Sequence, residues 1–238
     1  MPVSLKDRKV LVIGRGSGIA HAVTLSVFDA GGTVVVAGRD PDALAEAYSD
    51  PRVTAERVDL TDEASVAALA ERLGTIDHVV STASARARGA VGDLAHDRVL
   101  SSFDTKVVGP ILLAKHLAPR MPEGGSFVFF SGASARKVMP GMLAVGATNA
   151  AVDALTRGLA VELAPIRVNA VSPGTIDTGA YDGLGDQRKA ELFAAREADT
   201  PAHRVGRSDE VADAVLFALT STFTTGVSLS VDGGESLV

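Results

Sequence analysis

The chain has 238 residues, a length that suits one large α/β domain better than two. Hydrophobic residues make up 46% and charged residues 22%, which excludes a disordered chain, and with 4% aromatics and no Trp the core must rest on Val, Leu, Ile and Ala. A formal net charge of −6 argues against a nucleic-acid partner, and the absence of Cys excludes disulfides, thiol catalysis and Cys-ligated metal.

Residues 1–8 carry no apolar signal core and no apolar run approaches membrane length, so a cytoplasmic protein without a membrane partner is expected. Lys9 to Ile13 reads as a buried strand that runs directly into Gly14-Arg15-Gly16-Ser17-Gly18-Ile19-Ala20 and a helix. Glycine there permits a tight turn and lets backbone N–H groups approach a pyrophosphate at the helix N-terminus. The strand before and the helix after separate this stretch from an ordinary glycine turn. Gly14, Arg15, Gly16, Ser17, Gly18 and Ile19 are therefore candidate cofactor-binding residues.

The second strand, Thr33 to Ala37, leads to Gly38-Arg39-Asp40. An NAD-preferring site puts a carboxylate at this strand's end to bond the ribose hydroxyls. Arg39 can instead take a 2′-phosphate bidentately, and Arg15 adds a second positive charge, which points to NADP(H). Asp40 has two uses open to it, a ribose contact or a helix N-cap before Pro41. After the third strand, Val53 to Val58, Asp59 and Leu60 fit an adenine-side contact or the turn that starts the next helix, Asp62 to Leu73.

The fourth strand, His78 to Ser81, is followed by Thr82-Ala83-Ser84. Beyond it come a long helix from Arg98 to Leu117, a strand from Ser126 to Phe130, a helix from Gly141 to Leu163 and a strand from Ile166 to Val171. Ser172 to Arg207 is the longest stretch without strand character, a candidate substrate-covering loop with its own short helix. A helix from Ser208 to Leu219 and a strand from Val227 to Val231 complete the pattern. Short β-branched runs alternating with helices predict a single Rossmann-type α/β domain with a doubly wound parallel sheet. His21, His78, His96, His116 and His203 show no metal-ligand spacing, so no metal site is expected.

The sequence resembles the short-chain dehydrogenase/reductase family nearly end to end. The likeness is carried by Gly14-x-x-x-Gly18-Ile19, Asp59, the Arg167-Val168-Asn169 and Pro173-Gly174 block, Thr178 and Val231-Asp232-Gly233-Gly234. The resemblance implies about seven parallel strands flanked by helices. It also implies a nicotinamide side lined by Pro173, Gly174, Thr175 and Ile176, with Thr178 near the carboxamide or pyrophosphate, and Thr82, Ala83 and Ser84 on the cofactor. It further implies a homodimer or homotetramer paired through the two long helices.

The departures fall on the family's Asn, Ser, Tyr and Lys tetrad, whose positions here hold Lys106, Gly132, Val145 and Asn149. Ser81-Thr82-Ala83-Ser84 replaces the family's Asn-Asn-Ala-Gly, and neither Tyr48 nor Tyr181 sits in the expected helix. Carbonyl reduction needs a hydride on carbon and a proton on oxygen, and the tyrosine that would supply the proton is missing. Lys106 is the replacement candidate, as proton donor or oxyanion stabiliser, or else a packed lysine paired with Asp104. Ser131 and Ser134 can bond a substrate or satisfy the strand end, and Arg136 and Lys137 can attract an acidic substrate or lie in a solvated turn. The leading expectation is an NADP(H)-dependent oxidoreductase of unusual mechanism for a small carbonyl or alcohol compound. Its alternatives are a non-catalytic NADP(H)-binding sensor or partner subunit, and cofactor-assisted isomerisation.

Overall fold

Residues 4–48 and 50–238 are described by the computed structural model; the first three residues of the opening segment lie outside it. Seven strands make one sheet: β1 (Lys9–Ile13), β2 (Thr33–Gly38), β3 (Val53–Arg57), β4 (His78–Ser81), β5 (Ser126–Phe130), β6 (Arg167–Pro173) and β9 (Ser228–Val231). They run parallel in the order β3-β2-β1-β4-β5-β6-β9. The central strands are apolar at successive positions because helices cover both faces.

Side-chain alternation splits the core in two. Leu11 and Ile13 of β1 pack with α3 (Glu63–Leu73), α5 (Gly109–Leu117) and α6 (Leu143–Glu162). Val10 and Val12 pack on the other side with α1 (Gly18–Asp29), α2 (Pro41–Tyr48) and α8 (Ser208–Thr220). Strand order reverses between β1 and β4, so their carboxyl ends open a crevice where this architecture binds ligands.

Two segments differ from the sequence reading. The helix expected from Arg98 to Leu117 begins as α4 (His96–Phe103), widens into a π-helical turn over Asp104–Val108 and resumes as α5. Pro110 has no N–H to give the carbonyl four residues back, and the Gly109 amide bonds Asp104 five residues back instead. Lys106 sits in the middle of that turn.

The second difference lies between Ser172 and Arg207. This stretch holds two short strands, β7 (Ile176–Asp177) and β8 (Gly206–Arg207), paired in parallel, and α7 (Asp186–Asp199), a 14-residue surface helix rather than a short one. Among the described residues, no helix is long and apolar enough to cross a membrane.

Candidate active site

The glycine turn after β1 is built for close approach. The Gly14 amide bonds Ala37 O (3.1 Å), and a Cβ at Gly14 would overlap Thr82 Oγ1. A Cβ at Gly16 would overlap the Ala47 methyl, and Gly18, at φ +57°, lies where a Cβ would press on Thr178. The turn is thus fitted against β4, α2 and the segment after β6 at once. Ser17 precedes α1 without a side-chain cap, and the first turn of α1 carries no acid, so its backbone N–H groups face the crevice unclaimed by a carboxylate.

At the end of β2, Arg39 is exposed and bonds no carboxylate among the described residues. Asp40 is used as a cap: its Oδ1 accepts the Ala43 amide (3.0 Å) at the start of α2. Asp59 Oδ1 accepts the amide (3.0 Å) and hydroxyl (2.7 Å) of Thr61, and these bonds, amide first, hold its carboxyl below the usual range. The side chain of Leu60, the other residue expected on the adenine side, is buried in the core against Gly109, which leaves only its backbone for a ligand. Thr82 doubles the strand link, its amide (2.8 Å) and hydroxyl (3.1 Å) both donating to Ile13 O, while Ser84 is exposed.

Across the crevice, Pro173 ends β6 and Gly174 turns under the C-terminal segment, where a Cβ would lie 2.7 Å from Glu235 Oε2. Glu235 is 4% exposed and accepts the Thr175 amide (2.6 Å) and hydroxyl (3.3 Å). Arg196 of α7 stands 4.0 Å from the same carboxylate, tying the covering segment to it. Nothing in the local sequence marks Glu235, because its burial is created by residues 60 positions away.

The tetrad positions converge between the π-helical turn, β5 and α6. Lys106 is only 7% exposed. Its Nζ donates to Asn149 Oδ1 and to Ser131 O (3.3 Å), not to Asp104. Asn149 Nδ2 in turn donates to Ser134 Oγ (2.8 Å). Gly132 leaves room for this network, since a Cβ there would lie 2.7 Å from Asn149 Nδ2. Val145, buried one turn before Asn149, contributes no polar atom.

Ammonium and amide have therefore changed helices relative to the family's Asn and Lys positions, and they still meet. Burial first, and then the positive charge of Arg86, bring the Lys106 pKa down from 10.5 to about 7, with Asp153 opposing. Ser131 is buried and its hydroxyl donates to Asn149 O (3.0 Å), so it braces α6 rather than opening to the crevice, a correction to its expected catalytic part.

Other expectations resolve in the same way. Arg136 donates to Ser172 Oγ (3.2 Å) and Ser230 Oγ (2.7 Å), which fixes its position while leaving its charge exposed. Tyr48 accepts from Thr24 Oγ1 (3.2 Å) and stacks on His21. Tyr181 packs edge-on to Phe193 in the covering segment, 5.6 Å between centroids. Arg86 is a residue the sequence reading missed; the basic pair Arg86 and Arg88, just past β4 in an acidic chain, was its signal.

Residues 13–236 match the family model described as Enoyl-(Acyl carrier protein) reductase. A short-chain dehydrogenase/reductase of Stachybotrys chlorohalonatus is 30% identical, with 98% of this chain and 99% of that protein covered. The cis-4-hydroxycyclohexanecarboxylate dehydrogenase of Sinomonas cyclohexanicum is 32% identical, with 100% of both covered. Among solved structures, a small-chain dehydrogenase in complex with NADPH superposes with a TM-score of 0.84 at 33% identity, covering 97% of this chain and 99% of that one.

Proposed function

The chain belongs to the short-chain dehydrogenase/reductase family, and we propose that it works as an NADP(H)-dependent oxidoreductase on a small carbonyl or alcohol compound, with Lys106 managing the proton. The observation that carries this reading is the glycine turn after β1, fitted closely against Thr82, Ala47 and Thr178, in a chain whose tetrad positions bring together a buried lysine and Asn149. Gly14 to Ile19 and the start of α1 fit a pyrophosphate, Arg39 and Arg15 a 2′-phosphate, and Pro173 to Ile176 with Thr178 the nicotinamide end. Asp59 and the backbone of Leu60 remain for the adenine side, and Thr82, Ala83 and Ser84 for the ribose side. The NADPH bound by the solved relative supports this choice. When bound, the dinucleotide donates or accepts the hydride.

The rest of the chemistry belongs to the chain. The Lys106 ammonium holds a proton where the substrate oxygen must receive it, and Asn149 and Ser131 O fix its direction. Glu235 locks the Thr175 backbone, so the nicotinamide wall keeps its shape. NADPH oxidation with a panel of carbonyl compounds tests the reading. Tight NADPH binding without turnover of any of them would favour a non-catalytic binder, an outcome to which Val145 and Gly132 lend weight.

Cofactor choice gives a separate expected result. NADPH binds more tightly than NADH, and Arg39→Ala lowers NADPH affinity by roughly 10- to 100-fold, the worth of a charged hydrogen-bonded pair, while NADH affinity barely changes. Fluorescence titration of both cofactors measures it; equal affinities in the wild type would remove the 2′-phosphate role of Arg39.

Assembly gives another. Leu100, Val108 and Ile111 on the helix through the π turn, and Leu143 and Val161 on α6, are exposed apolar side chains. We expect these helices to pair two copies of the chain, as a homodimer or within a homotetramer. Light scattering at micromolar concentration should report at least a dimer, and Ile111→Glu should shift it toward monomer.

A further inference from the structure

Arg86 follows β4 on a segment that is pinned on both sides. The Ala85 carbonyl accepts the Ser102 hydroxyl of α4 (2.7 Å), Ala87 is buried, and the Gly89 amide donates to Gly141 O (3.0 Å). Its backbone is therefore fixed beside the crevice. The guanidinium stands within electrostatic reach of Lys106, of Arg15 in the glycine turn, of Tyr181 in the covering segment and of Arg88.

Among the described residues Arg86 has no carboxylate partner. Arg8, Arg52, Arg72 and Arg204 each pair with a carboxylate, but among the described residues neither Arg86 nor Arg88 hydrogen-bonds or ion-pairs with anything. Arg86 and Arg88 are both exposed to solvent, so their guanidinium charges are open to an incoming anion. In a chain with 29 acids to 23 bases, a pair of unpaired arginines at this end of β4 suits a ligand of opposite charge.

We propose that Arg86, supported by Arg88, docks an anionic group of the substrate, a carboxylate or phosphate, and that the substrate is therefore an acidic carbonyl or alcohol compound. This rests on the oxidoreductase reading above. A guanidinium fork matches either anion bidentately. The dinucleotide phosphates are an alternative source of the anion. They already have Arg15, Arg39 and the start of α1, and Arg86, although within reach of Arg15, also faces Lys106 and Tyr181 on the far side of the crevice's phosphate end. An anion on Arg86 would also relieve its repulsion of the Lys106 ammonium, so docking the substrate would load the proton donor.

The test uses NADPH-saturated protein and matched pairs: 4-oxopentanoate and benzoylformate against their methyl esters, and glyceraldehyde 3-phosphate against glyceraldehyde. Binding is read from NADPH fluorescence, without need of turnover. The charged member of at least one pair should bind about tenfold or more tightly than its neutral partner. Arg86→Met should erase that preference, Arg86→Lys should keep part of it, and NADPH affinity should stay within about twofold in both. No preference in any pair overturns the proposal. So does an Arg86→Met protein that loses NADPH affinity, because the guanidinium then serves the cofactor pyrophosphate. An acid preference that survives with no NADPH oxidation in any pair would sink the oxidoreductase reading and leave the anion site standing.

Discussion

Replacing Lys106 with Met is expected to slow NADPH-dependent carbonyl reduction by roughly 10²- to 10⁴-fold, the usual worth of a positioned general acid, while NADPH affinity stays within about twofold. Lys106 is the one ionisable group at the four tetrad positions, because Gly132 and Val145 offer no proton and Asn149 cannot act as an acid. Its pKa of about 7 matches the working pH, which an ordinary lysine would not. Reduction needs the ammonium form, so the rate should fall as pH rises through about 7.

Burial sets most of that inflection, and the charges facing Lys106 adjust it. Arg86 pushes it down, so Arg86→Met should move it to higher pH; Asp153 pushes it up, so Asp153→Asn should move it lower. Steady-state rates of the Met variant and pH–rate profiles of all the proteins measure this. A Met variant as fast as the wild type would give the proton to water and return Lys106 to a structural part.

The fold was legible where one physical cause dominates. β1, β4 and β5 have the limits read from sequence, because strands buried on both faces are uninterrupted apolar runs between turn residues. The π-helical turn was not legible from periodicity, since the apolar pattern continues through Val107 and Val108; its cause is the missing N–H of Pro110. β7 and β8, two residues each, are too short to show a period.

At the site, the glycine turn could be read because its constraint is local. The Lys106–Asn149 contact spans 43 residues, and only the packing of α6 against the π turn turns two separate departures into one exchanged pair. Leu60 and Ser131 went the other way: each follows a strand that ends at the crevice, yet core packing and the α6 carbonyl claim their side chains.

The buried lysine also carries a thermodynamic signature. In the unfolded chain Lys106 holds its proton up to the ordinary 10.5, whereas in the fold it releases it at about 7. Between those values the unfolded state binds the extra proton, so native stability rises with pH across the window. Below 7 both states are protonated and the cost of the buried ammonium is at its full size, roughly 5 kcal/mol from the distance between the two values. Lys106→Met removes that cost and fills the space with an adaptable side chain. It also strips Asn149 Oδ1 and Ser131 O of their donor, a loss of about 1–3 kcal/mol for each acceptor that is present at every pH. The stability of the variant relative to the wild type should therefore be greater at pH 6 than at pH 10, by about 4 kcal/mol. By pH 10 the wild-type lysine is a neutral amine still donating to Asn149, so most of the cost that the variant removes is gone and the loss of the donor remains. Urea unfolding of both proteins at pH 6 and pH 10 measures the difference, in which alkaline effects common to both cancel. A difference that is the same at both pH values would put the Lys106 proton affinity in the ordinary range, and with it would go the case for an acid working at neutral pH.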